Sequence, residues 1–207
     1  MHNFFYQKIL NFVTQKIYFM RDEILKDKVA LITGGTTGIG LATAKLFLEN
    51  GAKLTIAGRR KEQGEKAAEM LENISPNVQF IETDVSKSKE VQYLINETVK
   101  AYGRLDVAFN NAGIEGTFSP IDKTSEEEFD NVMNINAKGA WLCCKYEIEQ
   151  FKQQGTGGAI VNTSSWLAKG GAMIGSGVYT ASKAALDGLV RTLAIETASA
   201  GIRVNNI

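Results

Sequence analysis

Short apolar runs alternate with amphipathic stretches along most of this chain. Residues 28–33, Lys-Val-Ala-Leu-Ile-Thr, form the first run, which is typical of a strand buried on both faces of a sheet. The stretch over 39–50 carries apolar side chains at helical spacing and stops at Gly51, a common helix terminator. The pattern then repeats to the last residue. It predicts strands at 28–33, 53–57, 78–83, 105–110, 159–163 and 202–207, and helices at 39–50, 61–73, 87–102, 125–154 and 178–200.

This alternation of strands and helices predicts an α/β domain. Helical connections between parallel strands are right-handed, so successive units place helices on both faces of one parallel sheet. The expected architecture is a doubly wound, Rossmann-type parallel sheet in three layers, which binds ligands at the carboxyl ends of its strands. The domain is expected to span residues 27–207, with residues 1–26 as an N-terminal extension.

The extension differs in composition from the rest of the chain. Residues 1–19 contain Lys8 and Lys16 but no acidic side chain, and their apolar residues lie at helical spacing. A helix lying on a membrane surface is one interpretation, and an appended segment outside the domain is the other. The apolar runs there are too short for a membrane span. Met20 offers an alternative start of the protein.

Composition narrows the classes of function. The 207 residues include 23 basic and 23 acidic side chains without a basic stripe, so nucleic acid is not an expected partner. The single histidine, His2, lies in the extension, which argues against a Ser-His-Asp triad and a histidine-based zinc site. The two cysteines, Cys143 and Cys144, are adjacent and suit neither a disulfide framework nor a four-cysteine metal site. We therefore expect buried free thiols, a reducing cytoplasmic location and no metal.

A glycine-rich turn follows the first predicted strand. Gly34, Gly38 and Gly40 have the spacing G-x-x-x-G-x-G. Such a turn lets the N–H groups of a helix N-terminus approach a pyrophosphate. Gly34 would permit the tight turn, Gly38 the close approach of the backbone to the pyrophosphate, and Gly40 the close packing of the helix on the strand. Glycines that serve packing alone are the alternative interpretation. The nucleoside-triphosphatase pattern G-x-x-x-x-G-K-[S/T] is absent from the sequence.

The end of the second predicted strand bears on the choice of cofactor. An acidic residue there would bind the ribose 2′-hydroxyl of NAD, but the sequence has Arg59, Arg60 and Lys61 instead. A guanidinium group at this place would pair with the 2′-phosphate of NADP. NADP is therefore the expected cofactor, with Arg59 as its contact, and NAD is the alternative. A solvated basic start of a helix would also explain these charges.

Tyr179 and Lys183 are the candidates for proton transfer in a chain whose histidine lies outside the domain. They are four residues apart on a predicted helix, which places both side chains on one face. A lysine ammonium beside a tyrosine hydroxyl favours the phenolate, so the pair can act as an acid/base. A surface pair without chemistry is the alternative. Ser165, after the fifth strand, would donate a hydrogen bond to a substrate carbonyl or serve as a cap.

Taken in order, these motifs resemble the short-chain dehydrogenase/reductases over about residues 27–207. The resemblance implies an NAD(P)-dependent oxidoreductase that transfers a hydride between nicotinamide and a small-molecule carbonyl/alcohol substrate. A cofactor-binding protein without turnover, such as a redox sensor, a scaffold or an inactive fragment, is the alternative. The matching stretches are Thr33-Gly-x-x-x-Gly-Ile-Gly40, Asp84-Val85, Asn110-Asn-Ala-Gly113, Asn136 in Asn-Ala-Lys-Gly, Ser165 and Tyr179-x-x-x-Lys183.

The resemblance also implies a role for each matching residue. Tyr179 corresponds to the general acid/base, and Lys183 to the group that promotes its ionisation and holds the nicotinamide ribose. Ser165 corresponds to the residue that orients the substrate oxygen, and Asn136 to the one that holds a water in a proton relay. Thr37 is a departure, because this position is often basic in NADP-preferring members. The implied cofactor contacts are Gly34, Thr36, Thr37, Gly38, Ile39, Gly40, Arg59, Asp84, Val85, Asn110, Asn111, Ala112 and Gly113, together with Tyr179 and Lys183.

Further expectations concern the pocket, the chain ends and the partners. Family members continue past the sixth strand into a substrate-covering loop and a seventh strand, so the resemblance implies a C-terminally truncated form. It also implies a homo-oligomer, a dimer or tetramer, that packs through the helix over 125–154 and the tyrosine-bearing helix. The substrate is not specified by the sequence. Four residues are expected either to line an apolar substrate pocket or to belong to the core: Trp166, Leu167, Met173 and Ile174.

Overall fold

The six predicted strands form one parallel sheet in the computed structural model, which describes residues 23–207. The strands are β1 Val29–Thr33, β2 Lys53–Gly58, β3 Val78–Glu82, β4 Val107–Asn110, β5 Gly158–Asn162 and β6 Ile202–Asn206. Their order across the sheet is β3-β2-β1-β4-β5-β6. The predicted doubly wound α/β architecture is therefore confirmed. The predictions for residues 1–19, including His2, and for the alternative start at Met20 lie outside the described residues.

Helices connect the strands as predicted, with one correction. The helices are α1 Gly38–Glu49, α2 Lys61–Glu72, α3 Ser88–Tyr102, α4 Glu126–Met133, α5 Ala140–Gln154 and α6 Gly177–Thr197. The prediction of one regular helix over 125–154 is wrong, because Asn134–Gly139 is π-helical and separates α4 from α5. Within it, Asn136 hydrogen-bonds to Ile114 and to Ser182, partners distant in sequence that a helical pattern does not encode.

Alternate residues of the strands pack into two separate cores, one on each face of the sheet. Ala30 and Ile32 pack with α1 and α2, whereas Leu31 packs with α3 and α5. Cys143 and Cys144 are buried free thiols, as predicted, and burial is the main cause that raises the pKa of each. Among residues 23–207, no helix combines the length and the apolar character needed to cross a bilayer.

The strand order creates a switch point between β1 and β4. The chain leaves β1 towards β2 and leaves β4 towards β5, in opposite directions along the sheet. The two connections therefore open a crevice beyond the carboxyl ends of β1 and β4. The segments that follow β1 and β4 touch each other across it. A Cβ on Gly34 would lie 2.9 Å from the Ala112 Cα, and Gly34 has a φ of +65°. Glycine is thus required at this turn for both conformation and space.

We predict that Gly40→Ala destabilises the fold. A Cβ on Gly40 would lie 2.1 Å from the Gly34 carbonyl oxygen, so α1 would have to move away from the turn. Overpacking of this kind costs about 1–3 kcal/mol in the free energy of unfolding. Urea and thermal denaturation measure the effect.

Gly188→Ala is the matched control for this substitution. Its Cβ would meet only the Arg191 Nη2 atom at 4.0 Å on the helix α6. There the same change should increase stability, by about 0.5–1 kcal/mol, because alanine loses less backbone entropy than glycine in a helix. A Gly40→Ala variant as stable as the wild type would contradict the packing interpretation of this glycine.

Candidate active site

A cleft of about 710 Å³ lies at the switch point, beyond the carboxyl ends of the central strands. Ten of the predicted cofactor contacts line it: Gly34, Thr36, Thr37, Gly38, Ile39, Arg59, Val85, Asn111, Ala112 and Gly113. The other five, Gly40, Asp84, Asn110, Tyr179 and Lys183, are not among the lining residues. The lining also contains residues that were not among the predicted cofactor contacts: Ala57, Gly58, Arg60, Thr83 and Ile114.

The three glycines of the turn have different structural roles. Gly38 has a φ of +52° and no atom within 4 Å of its Cβ position, so its backbone borders open space in the cleft. Gly40 is buried against the Gly34 carbonyl and serves packing. Thr37, the N-cap of α1, makes no side-chain capping bond, and no acidic residue lies in the first turn. The N–H groups at this helix end therefore present positive potential to the cleft.

The charged residues that line the cleft, among those described, are Arg59 and Arg60. Both are exposed and directly follow β2. The adjacent Gly58 lies against Thr36 of the glycine turn, since a Cβ on Gly58 would be 3.0 Å from the Thr36 Cγ2 atom. The two arginines therefore stand beside the glycine turn at one end of the cleft.

Asp84 and Val85 contribute to the site in different ways. The Asp84 Oδ1 atom accepts hydrogen bonds from the Ser86 N–H at 3.0 Å and the Ser86 hydroxyl at 2.7 Å. Its own N–H donates to the Glu90 Oε2 atom at 2.7 Å. The Asp84 side chain thus stabilises the turn after β3, while Val85 lines the cleft. An isolated Asp-Val pair in the sequence does not distinguish these two positions.

The segment after β4 is tied to the glycine turn by side-chain hydrogen bonds. The Asn111 Nδ2 atom donates to the Gly34 carbonyl at 3.1 Å, and the Ala112 N–H donates to the Thr33 hydroxyl at 3.2 Å. Asn111 also accepts from the Thr163 hydroxyl at 3.3 Å. Asn110, by contrast, is buried under the cleft, where its amide donates to Glu147 and Asn162 at 3.0 Å each.

Lys183 lies where the cleft ends. Its Nζ atom donates to the Thr163 carbonyl at 2.7 Å and lies 5.9 Å from the centre of the Tyr179 ring. The same atom is 3.4 Å from the Cβ position of Gly113, a residue that lines the cleft. The residue is only 4% exposed, and burial lowers the pKa of Lys183 to about 8. The helical spacing predicted that Tyr179 and Lys183 share a face, and the structure brings them together.

Asn136 connects the cleft segment with the tyrosine-bearing helix. Its Oδ1 atom accepts from the Ile114 N–H at 2.8 Å, and its Nδ2 atom donates to the Ile114 carbonyl at 2.8 Å and to the Ser182 hydroxyl at 3.0 Å. These contacts occupy the side-chain amide, which is 1% exposed. The contacts of Asn136 therefore hold the loop after Gly113 against α6, and the water-holding role stays a prediction.

Ser165 follows β5 and has the capping contact that was one of its two interpretations. Its Oγ atom accepts from the Leu167 N–H at 3.2 Å at the start of a 3₁₀ turn over Trp166–Lys169. Accepting this bond leaves the hydroxyl proton for donation. Its neighbour Ser164 is buried and donates to the Asp187 Oδ1 atom at 2.9 Å.

Tyr179 has an aromatic neighbour, Phe118. The ring of Phe118 lies 6.4 Å from the ring of Tyr179, tilted by 47°. The loops that carry Phe118 and Met173 are joined by a hydrogen bond from the Ser119 N–H to the Gly175 carbonyl at 3.1 Å. Of the four expected pocket or core residues, Leu167 is buried, whereas Trp166, Met173 and Ile174 are exposed.

A family model, similar proteins and a solved structure all identify the same family. The family model for the short chain dehydrogenases matches residues 28–207. An uncharacterized oxidoreductase of Thermotoga maritima is 44% identical over 183 residues, covering 87% of this chain and 70% of its own length. A 3α-hydroxysteroid dehydrogenase of Mediterraneibacter gnavus is 37% identical, covering 89% of this chain and 73% of its own.

A solved structure agrees with these relatives. The crystal structure of xylitol dehydrogenase bound to NAD⁺ superposes with a TM-score of 0.85 at 32% identity, covering 88% of this chain and 70% of that one. The fold, the cleft at its switch point and these matches over nearly all of the described residues lead to one conclusion: the chain belongs to the short-chain dehydrogenase/reductase family.

Proposed function

We propose that this protein is an NADP-preferring oxidoreductase that interconverts a carbonyl and an alcohol, with Tyr179 as the general acid/base. One observation carries the proposal. The Lys183 Nζ atom lies against Gly113 of the cofactor cleft and under the Tyr179 ring at the same time. A buried cation therefore lies between the place where a cofactor would end and the tyrosine that would exchange a proton.

The residues of the cleft fit a nicotinamide dinucleotide. Gly38 offers backbone N–H groups beside open space for the pyrophosphate, and Arg59 and Arg60 offer cations for a 2′-phosphate. Val85 and Thr83 offer a wall for the adenine, and the segment Asn111–Gly113 offers the opposite wall towards Lys183. When bound, the nicotinamide would supply or accept the hydride. The relative solved with NAD⁺ makes NAD the alternative cofactor.

The chemistry of the chain itself is proton transfer and orientation. In reduction, Tyr179 would give its hydroxyl proton to the substrate oxygen, and in oxidation its phenolate would take the proton back. The Lys183 ammonium would stabilise that phenolate, and its pKa of about 8 keeps it largely charged at neutral pH. Ser165 would donate its hydroxyl proton to the substrate oxygen and stabilise negative charge there.

The surroundings of Tyr179 favour a substrate with an apolar body. Phe118 lies near the Tyr179 ring, and Trp166 and Met173 lie on the segment between Ser165 and Tyr179; the three side chains are between 40% and 62% exposed. Burial of such surface by a ligand is favourable by about 25 cal/mol per Å². A relative that is a 3α-hydroxysteroid dehydrogenase supports the same class, an alcohol or ketone on an apolar ring.

The homo-oligomer implied by the resemblance stays a proposal. Two exposed apolar side chains support it, Trp141 on α5 at 46% and Ile195 on α6 at 82% exposure. They lie on the two helical regions that the resemblance assigns to subunit contacts.

We predict that Tyr179→Phe reduces turnover with NADPH and a cyclic ketone roughly 10²–10⁴-fold, because general acid/base catalysis contributes about that factor. Cofactor affinity should be unchanged, since the ring and its packing on Phe118 are kept. Tyr93→Phe, at an exposed tyrosine on α3, is the matched control and should leave activity as it is. NADPH oxidation followed by absorbance measures all three proteins.

Near-normal activity of Tyr179→Phe would overturn the catalytic assignment. Wild-type binding of NADPH without turnover of any ketone in a broad panel would instead favour a cofactor-binding protein that has no activity.

We also predict that Arg59→Ala weakens NADPH binding at least roughly tenfold, because a hydrogen bond to a charged group contributes about 1.5–3 kcal/mol. The affinity for NADH, which lacks the 2′-phosphate, should change little. Lys61→Ala removes the same charge two residues further on, outside the cleft lining, and is the control. Fluorescence titration measures both affinities, and equal wild-type affinities for NADPH and NADH would contradict the preference.

A further inference from the structure

Glu147 is a carboxyl group in the core of the domain, away from the cleft lining. It lies on α5 with 0% exposure, beside Cys143 and Cys144 on the same face of the helix. It forms none of the salt bridges found among the described residues. A carboxylate buried without a cation is strongly disfavoured, so the protonation state of this group needs a physical account.

The hydrogen bonds around Glu147 supply that account. The Asn110 Nδ2 atom donates to the Glu147 Oε2 atom at 3.0 Å. The other oxygen of each side chain, Glu147 Oε1 and Asn110 Oδ1, is buried without a partner among the described residues. Two acceptors cannot satisfy each other, whereas a carboxylic acid has one O–H to donate. A single proton on Glu147 would provide the missing donor.

We propose that Glu147 is a neutral carboxylic acid in the folded protein, that its O–H donates to the Asn110 Oδ1 atom, and that it thereby acts as a positioning residue for the cofactor segment. Asn110 directly precedes Asn111, Ala112 and Gly113, which line the cleft. An acid–amide pair bonded through both oxygens and the amide nitrogen has one orientation, so the amide cannot rotate by half a turn.

The electrostatics around Glu147 agree with this protonation. Burial raises the pKa of Glu147 to about 8, and the bond from Asn110 opposes that effect only in part. The titratable groups that face it are the two thiols of its own helix, each with a pKa raised mainly by burial. Strand β4 faces it with the neutral amide of Asn110, and α3 contributes the apolar Leu94 and Ile95 to the same core.

The charged groups of α6 near this network have other partners. Asp187 accepts from the Ser164 hydroxyl at 2.9 Å and from the Asn206 amide at 2.7 Å. Lys183 donates to the Thr163 carbonyl at 2.7 Å. Neither bonds to Glu147.

A chain of side-chain amides extends from Glu147 to the other side of the site. Asn110 donates to the Asn162 Oδ1 atom at 3.0 Å, and Asn162 donates to the Asn206 Oδ1 atom at 3.2 Å. Asn206 donates in turn to Asp187, which also holds Ser164 beside the proposed catalytic serine. Each amide points its nitrogen towards the next acceptor, so the orientation fixed at Asn110 is passed along the ends of β4, β5 and β6.

Three variants of the full chain test the proposal. Glu147→Gln keeps the shape, and its amide N–H can donate to Asn110 as the acid proton does. Glu147→Leu keeps most of the volume but removes the carboxyl partner of Asn110, whose amide then keeps on α5 only the 3.7 Å contact with the Cys144 Sγ atom. Glu149→Gln makes the same change of charge at an exposed position on α5 and is the control. The readouts are the infrared carbonyl band of a protonated carboxyl, the melting temperature from pH 5 to 9, and the affinity for NADPH.

The wild type should show a protonated-carboxyl band at pH 7 that Glu147→Gln lacks and Glu149→Gln keeps. The pKa of Glu147 is raised from 4.5 to about 8 on folding. Its contribution to stability is therefore complete below 4.5 and is lost as the pH rises towards 8. The wild-type melting temperature should fall over this window relative to Glu147→Gln, while Glu149→Gln follows the wild type.

The affinity for NADPH tests the positioning role, which rests on the proposed function. Glu147→Gln should bind like the wild type, and Glu147→Leu should bind at least roughly tenfold more weakly. If Glu147→Leu does not fold, the comparison of Glu147→Gln with the wild type decides, and weakened binding by Glu147→Gln overturns the role.

Two results overturn the proposal that Glu147 is protonated. One is the absence of any difference in the protonated-carboxyl band between the wild type and Glu147→Gln at pH 7. The other is a melting temperature that depends on pH in the same way for these two proteins. A wild type that binds no NADPH overturns the proposed function and with it the positioning role. The infrared band and the melting temperatures still test the protonation of Glu147 in that case. Failure of the proposed function and failure of the protonation proposal are therefore distinguishable.

Discussion

The close contact between the turn after β1 and the segment after β4 is the constraint on which the rest of the site depends. Asn111 donates to the Gly34 carbonyl, and Ala112 donates to the Thr33 hydroxyl. No side chain fits between the two segments, because a Cβ on Gly34 would touch the Ala112 backbone. The strand order brings these segments together, and glycine lets them meet.

Buried polar groups hold the walls of the site in place. Lys183, Asn136 and Asn110 are each at most 4% exposed, so each needs hydrogen-bond partners inside the protein. Their partners are the main chain at Thr163 and Ile114 and the side chain of Glu147. A buried hydrogen bond of this kind is directional, and its loss leaves an unsatisfied group. The site is thus rigid at its base, while its apolar rim around Phe118 and Trp166 is exposed.

The distribution of charge follows the same division between base and rim. The exposed cations, Arg59 and Arg60, stand at the end of the cleft nearest β2, where solvent screens them until a ligand displaces it. The buried cation, Lys183, stands at the other end, and burial lowers its pKa. One end of the cleft is therefore suited to hold a phosphate, and the other to bias a proton transfer.

Local sequence patterns determined most of the architecture. Apolar runs and helical spacing predicted all six strands and the parallel sheet, because a strand buried on both faces has few other compositions. The helix over 125–154 shows the limit of such patterns. A single π-helical turn at Asn134–Gly139 leaves the periodicity on either side unchanged, and distant partners stabilise it.

What the sequence by itself determined is the family, the fold and most of the residues that line the cleft, since glycine spacing and the residues that follow each strand are local features. Tertiary structure alone decided which of the predicted residues line the cleft and which support it from outside the lining. It placed Asn110 and Asp84 in supporting hydrogen bonds and added Arg60 and Thr83 to the cleft. It also paired Glu147 with Asn110, 37 positions apart, because burial and hydrogen bonding across strands depend on distances that no local pattern contains.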